Sequence, residues 1–278
     1  MKLSLIIVNN HWKSQLKQTL LNLSTACKDI DYEFFILDSD IQGKAIEFAG
    51  QEFSNLNFLN NNFGGSISRA YNEALKLCSG EYILMVSADT ISGKDSLEKM
   101  VSFMDTHPDA SGLSARILSP QGRFLSQSIH GLNNSWAIFF KLVGFAKQLS
   151  KTRLYNRNRK DWVEEFQVSE IDILNSQCML LRRSVLNQVG FFDERFVKYG
   201  FNIDLSYRMR LAGFKNYYFP KTYFISTDAD AANKFSWDYI KYFYGAMAIF
   251  AFKYLIRVPE IKVQDIPQLI HSTYEVKG

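Results

Sequence analysis

Between Leu3 and Thr90 the chain alternates short apolar runs with amphipathic stretches, and this alternation constrains the fold more than any other feature. "LSLIIVN" reads as a buried strand, "WKSQLKQTLLNLSTA" as a helix with apolar residues three and four apart, and "YEFFILDSD" as a second strand ending in acids. A third strand, "NLNFLNNN", a helix, "SISRAYNEALKLC", and a fourth strand, "EYILMVSADT", follow. Strands joined through helices run parallel, so the pattern predicts a mostly parallel sheet flanked by helices, an α/β fold. Ligands of open sheets of this kind bind beyond the carboxyl ends of the strands. That rule selects Val8-Asn9-Asn10, Asp38-Ser39-Asp40, Asn62 to Arg69, and Ser87-Ala88-Asp89, which should converge on one edge.

Beyond the fourth strand, "SLEKMVSFMDTHPDA" reads as a helix closed by Pro108 and "SGLSARILSPQGRF" as a strand and hairpin. Residues from about 130 to 168 mix aromatic and basic side chains without a strand pattern and read as an excursion over the active face. "EIDILNSQCMLLRR" reads as one strand, followed by a helix from Ser184 to Val189 and a turn at Tyr199-Gly200. A helix carrying Asn202, Asp204 and Arg208 comes next, then a strand near "KNYYFP" and an aromatic C-terminal helical tail. The expected division is a main domain over 1–235 and an amphipathic helical extension over 236–278 packed on it.

The chain has 278 residues, 47% of them hydrophobic, which is ample for a large single core. A net charge of +4 without a dense Lys/Arg stripe argues against a nucleic-acid partner but suits a phosphate-bearing small ligand or an anionic membrane surface. Cys27, Cys78 and Cys178 are far apart, which indicates neither a zinc site nor a disulfide framework and makes a reducing compartment the default. "MKLSLIIVNNHW" reads as a first strand and not as a signal peptide. The apolar run "YFYGAMAIFAF" falls short of the roughly 20 residues a bilayer span needs. Lysines flank it, and peripheral membrane contact suits its composition.

The segments "SLIIVNN", "FILDSD", "NNFGGSISRAYNEALKLCSGEYILMVSADT", "MLLRRSVLNQVGFFDERFVKYG" with "DLSYRMRLAG", and "SWDYIKYFYGAMAIFAFKYL" occur in an informative order. In that order they resemble the family 2 glycosyltransferases of GT-A fold, a nucleotide-diphospho-sugar transferase-like architecture, and especially bacterial rhamnosyltransferase-like members that build surface polysaccharides. The resemblance implies an inverting transfer of a sugar from a nucleotide-diphosphate donor to a saccharide or lipid-linked acceptor. It implies a cytoplasmic location, peripheral at the inner face of the plasma membrane. It places Val8, Asn10 and Asp38 around base and ribose, and Asn62, Gly64 and Arg69 in the wall beside the nucleotide. Asp89 matches the last acid of the family's DxD signature, which holds Mg²⁺ or Mn²⁺ against the diphosphate, and Ser176 and Gln177 border the donor sugar and acceptor.

The family's base comes from a Glu-Asp pair followed two residues later by Asp and then Arg; here these positions read Phe201-Asn202, Ile203, Asp204 and Arg208. An amide can orient an acceptor hydroxyl but cannot take its proton. Asp204 stands at a conserved-motif acid position of the family, yet it also lies four residues before Arg208, the spacing of an ion pair on one helix face. Two residues past Asn202, it points about 200° away from it on a helix. The DxD is reduced to Ser87-Ala88-Asp89, a metal-shell histidine expected after "YYFP" is replaced near Ser226, and Asp228 or Asp230 are the substitutes at hand. The family's Gly-Ala before "MLLRR" is Ser176-Gln177. These departures leave a second reading open: a catalytically impaired relative that binds a nucleotide sugar or serves as an assembly subunit.

Overall fold

A computed structural model describes residues 1–9, 13–38, 53, 55–60, 65–125, 134–142, 165–226 and 236–256. Among these residues the strands are β1 (Leu3–Asn9), β2 (Tyr32–Asp38), β3 (Leu56–Asn60), β4 (Tyr82–Ser87), β5 (Thr90–Ser92), β6 (Ala110–Leu118), β7 (Ser169–Ile171), β8 (Cys178–Arg182) and β9 (Lys215–Ser226). The helices are α1 (Lys13–Ala26), α2 (Ile67–Leu77), α3 (Ser96–Thr106), α4 (Asn134–Leu142), α5 (Arg183–Val189), α6 (Phe201–Leu211) and α7 (Trp237–Ala251), the last running into a π-helical turn at Phe252–Ile256. The strands form one sheet in the order β3-β2-β1-β4-β8-β6-β9-β5, with β7 paired to β9.

From β3 to β4 every pairing is parallel, as the alternation predicts. Beyond β4 the sheet is mixed: β8 runs antiparallel to both β4 and β6, β6 and β9 are parallel, and β5 and β7 run against β9. The reason lies in the connections. The chain leaves β6 at the same edge from which it later enters β8, so β8 has to run back through the sheet. The stretch expected as a single strand from Glu170 to Arg183 is instead two strands, β7 and β8, separated by a turn over 172–177. β9 extends past Pro220 to Ser226 because its register with β6 shifts between Ala115 and Arg116, which absorbs the proline as a bulge.

Side chains alternate across the sheet and feed two cores. Leu3, Leu5 and Ile7 of β1 pack with α1 and α3, while Ile6 and Val8 face α2, α4, α6 and α7. On α7, Phe243, Ala246, Met247 and Phe250 are buried, and Trp136 and Phe140 of α4 meet Phe250 with ring centroids 5.9 and 5.2 Å apart. Burying each such aromatic contributes about 1.5–3 kcal/mol, enough to bind the C-terminal helix into the main core. Gly200, which opens α6, has φ +81°, and a Cβ there would lie 3.0 Å from Phe196, 3.2 Å from Ala246 and 3.2 Å from Trp136. Glycine therefore satisfies both the left-handed turn and the close approach of α4 and α7 to the start of α6.

Candidate active site

Strand order reverses at β1: the chain builds β1, β2 and β3 outward in one direction and then places β4 on the other side of β1. Such a switch point opens a crevice at the carboxyl ends of the two strands. Asn9 and Asp38 end β1 and β2 in register, and Asn9 Nδ2 donates to Asp38 Oδ2 at 2.6 Å with both side chains buried. On the other flank, the Ala88 N–H donates to the Val8 carbonyl at 3.1 Å and Thr19 Oγ1 of α1 donates to the Ala88 carbonyl at 2.7 Å. These two bonds fix the chain as it leaves β4. Asp89 follows, buried, and accepts a hydrogen bond from Ser226 Oγ at the end of β9, 3.1 Å from its Oδ2. Thr90 pairs with Ser226 in the short β5–β9 ladder, so the two ends are held together by backbone as well.

The same edge continues onto β8. Val86 is paired with Cys178, which makes Ser87 and Gln177 the next positions in that register. Neighbouring strands are about 4.8 Å apart, so the row from Asp38 through Asn9 and Ser87 to Gln177 spans about 14 Å. The turn before β8 is clamped by side chains: the Leu174 N–H donates to Ser206 Oγ at 3.0 Å, the Asn175 N–H to Ser114 Oγ at 2.7 Å, and the Gln177 N–H to Asn175 Oδ1 at 2.8 Å. Asn202 Nδ2, in the first turn of α6, donates to the Leu174 carbonyl at 2.8 Å. Asn202 thus stands beside the turn that carries Ser176 and Gln177. Cys178 is buried and its thiol is pushed up to about 12, so no thiolate nucleophile arises here at neutral pH.

Asp204 faces elsewhere. It is fully buried and accepts from Arg208 Nε at 2.9 Å, Lys253 Nζ at 2.6 Å and Tyr254 Oη at 2.6 Å. The ion-pair spacing to Arg208 is realised, and the guanidinium also donates to the carbonyls of Gly190 and Phe191 at 2.9 and 2.6 Å. Lys253 bridges on to Asp193 at 2.9 Å. Burial alone would raise the Asp193 carboxyl, but hydrogen bonds from Arg195 and Lys253 outweigh it and hold the group well below the usual carboxylate range. Burial and the neighbouring Asp204 push the Tyr254 hydroxyl well up. This network joins α6, the loop after α5 and the π-helical turn, and sequence spacing gives no sign of Lys253 or Tyr254 as partners 49 and 50 residues away.

Of the other expected residues, Val8 keeps its side chain in the core. Arg69 on α2 pairs with Glu194 at 3.3 Å, both largely exposed. Asn72, not singled out from the sequence, fixes the same loop by donating to the Phe192 carbonyl at 2.9 Å and accepting the Phe192 N–H at 3.0 Å. Asn10, Asn62, Gly64, Asp228 and Asp230 lie outside the described residues. A cavity of about 430 Å³ lies at the far end of α1 from the Asn9–Asp38 pair, lined by Lys28, Asp29, Lys94, Asp95, Glu98 and Tyr223 among others. It holds none of the site residues above, and the row at the switch point is the better candidate on topology.

For a metal, Asp89 and the Ser226 hydroxyl are oxygen donors of the kind that suit Mg²⁺ or Mn²⁺. Among the described residues no group of three His, Cys, Asp or Glu side chains is placed to enclose an ion. Among the described residues the donors that fit such an ion are thus one carboxylate and one hydroxyl.

Comparison with known proteins agrees with this fold. A Mycobacterium tuberculosis N-acetylglucosaminyl-diphospho-decaprenol L-rhamnosyltransferase is 27% identical over 146 residues, 50% of this chain and 45% of that protein. The chain thus matches about half the length of this relative. The S. aureus TarS structure of residues 1–349 superposes with a TM-score of 0.58 at 17% identity, covering 91% of this chain and 66% of that one. The Pyrobaculum calidifontis mannosyltransferase, solved with GDP-Man and Mn²⁺, gives a TM-score of 0.55 at 14% identity over 81% of this chain and 56% of its own. These two structures share the GT-A fold with the sheet described here. The profile described as glycosyltransferase like family 2 matches residues 2–237, most of the chain, and the chain belongs to that family.

Proposed function

We propose that this chain binds a nucleotide-diphosphate sugar along the row from Asp38 to Gln177 and transfers the sugar, with inversion, to a saccharide or lipid-linked acceptor. The observation that carries the reading is that β1, β2 and β4 end at one edge, where Asn9 bonds Asp38 and the Ala88 N–H bonds the Val8 carbonyl one residue before Asp89. In this reading Asp38, oriented by the Asn9 amide, accepts hydrogen bonds from base or ribose. Asp89 would hold a divalent ion beside the diphosphate, where such an ion supplies positive charge to the leaving group. The clamped turn at Ser176 and Gln177 borders the sugar, and the acceptor hydroxyl enters from the first turn of α6, opposite the leaving diphosphate. Direct displacement from that side inverts the anomeric carbon. Asn202 orients the hydroxyl, and because an amide takes no proton, the proton leaves to a group other than Asn202. The acceptor type draws support from the mycobacterial relative, whose name specifies a diphospho-decaprenol-linked sugar. A lipid-linked acceptor in turn favours a peripheral position at the inner face of the plasma membrane.

One observation favours a second reading, in which the chain binds nucleotide sugar without efficient transfer: the base position is an amide already engaged by the Leu174 carbonyl. Binding and transfer of a panel of nucleotide sugars, each with and without Mn²⁺, separates the two. Metal-dependent transfer establishes the first reading; binding without transfer establishes the second; no binding of any nucleotide sugar defeats both.

A further inference from the structure

α7 is apolar on both sides. Its inner face supplies Phe243, Ala246, Met247 and Phe250 to the core, while Trp237, Ile240 and Tyr244 are 78, 39 and 55% exposed on the outer one. At about 100° per residue, Trp237, Ile240, Lys241, Tyr244 and Ala248 fall within an arc of about 100°, and the exposed Phe252 follows in the π-helical turn. Other exposed large apolar residues, such as Leu21, Leu77 and Leu211, sit on separate helices. A surface helix with an apolar stripe on its solvent side as well as on its core side has a second apolar environment to meet.

The chemistry of the stripe and its place select the occupant. Its charged member is Lys241, and Lys198 stands beside it, 4.9 Å from the Tyr242 ring and 3.3 Å from Asp238. Tryptophan and tyrosine with lysine are the residues that settle at a lipid headgroup boundary, rings at the acyl border and ammonium toward phosphate. The inner side of α7 also adjoins the start of α6, the acceptor side of the proposed site. Tyr239 packs on Tyr199 at 5.4 Å, and Ala246 lies against Gly200, the residue before the turn that holds Asn202. We infer that the outer face of α7 docks on an anionic lipid surface and so presents the α6 end of the cleft to a lipid-linked acceptor. The orientation rests on the acceptor reading above; the docking itself does not.

The test uses the full chain and phosphatidylcholine vesicles with or without phosphatidylglycerol, without donor or acceptor. The expected result is co-sedimentation with the phosphatidylglycerol vesicles, weakened by salt, with a blue shift of tryptophan emission. The double variant Trp237→Ser/Tyr244→Ser should weaken binding about tenfold or more, and Lys241→Glu severalfold at low salt. Leu77→Ser, an exposed apolar site on α2, should leave it unchanged. Failure of the wild-type chain to bind, or equal binding by the double variant, overturns the inference. So does a dimer that dissociates in the double variant, which would assign the face to a second copy. Vesicle binding that arises only after residues 257–278 are removed would assign it to the chain's own C-terminal segment. Nucleotide-sugar binding measured on the same proteins keeps the two proposals apart: docking without donor binding defeats the function proposed above and leaves the docking face standing.

Discussion

The family resemblance sets both Asp89 and Asp204 at acid positions of its motifs, yet the molecule surrounds them differently. Asp204 is enclosed by two cations and a phenol, drawn from its own helix and from the C-terminal turn. Asp89 lies at a strand exit, where it accepts a hydrogen bond from Ser226 Oγ. A buried carboxylate between fixed cations has its charge already compensated and works as a joint of the fold. One at a strand exit sits at the edge where open sheets of this kind bind ligands. The contrast teaches that an acid's position in a motif says less about its role than the place the fold gives it.

The largest expected effect breaks the joint. Asp204→Ala leaves the half-buried Lys253 and Arg208 without their shared, fully buried anion, and removing one partner of a buried pair costs about 3–5 kcal/mol. Urea unfolding should show this as a lower midpoint with unchanged slope. A loss under about 1 kcal/mol would erase the distinction between the two acids. Asp89→Asn is the matching probe on the other side. An amide oxygen still accepts from Ser226, so that contact survives and the loss of stability should be smaller than that of Asp204→Ala. Transfer should fall by about 10²-fold or more, because the charge facing the diphosphate is gone. Initial rates at saturating donor decide it, and a destabilisation like that of Asp204→Ala would make Asp89 a structural acid too.

A smaller effect is expected where the base is missing. In Asn202→Asp the contact with the Leu174 carbonyl persists only while the new carboxyl is protonated, and burial also favours the neutral form, so its pKa moves up. Transfer by this variant should therefore climb with pH as the group ionises, reaching about tenfold or more above the parent. A pH–rate profile parallel to that of the parent would show that proton removal does not limit the reaction.

The parallel half of the fold was legible because each strand and helix there carries its own periodicity, and strands that alternate with helices run parallel. What lay beyond β4 was not, for reasons visible in particular residues. Ile171, Ile173 and Leu174, with Cys178 to Leu181 after them, read as one strand, but the backbone between them is satisfied by the side chains of Ser114, Asn202 and Ser206 from distant segments. Pro220 signals an end to β9, and a bulge in the pairing with β6 carries the strand past it. At the site, Asp38 and Asp89 follow from strand order alone, whereas the role of Asp204 depends on Lys253, which no local pattern ties to it.

The smallest expected effect concerns Arg69, which belongs to neither class of acid but tests how far the ligand edge extends. Its pair with Glu194 is largely exposed, and such pairs contribute about 0–1 kcal/mol, so Arg69→Gln should scarcely move the unfolding midpoint. The loop that carries Glu194 does not depend on the pair, because Asn72 holds it through both backbone groups of Phe192 and the Ile67 N–H donates to the Val197 carbonyl at 2.8 Å. Any change in donor binding can then be assigned to the lost guanidinium and not to a displaced loop. If Arg69 reaches the nucleotide, donor affinity should drop severalfold in Arg69→Gln and recover in part in Arg69→Lys, with the salt dependence of binding reduced in proportion. Equal affinity in all three proteins would end the nucleotide wall short of α2 and leave Asp38 and Asp89 as the charged limits of the site.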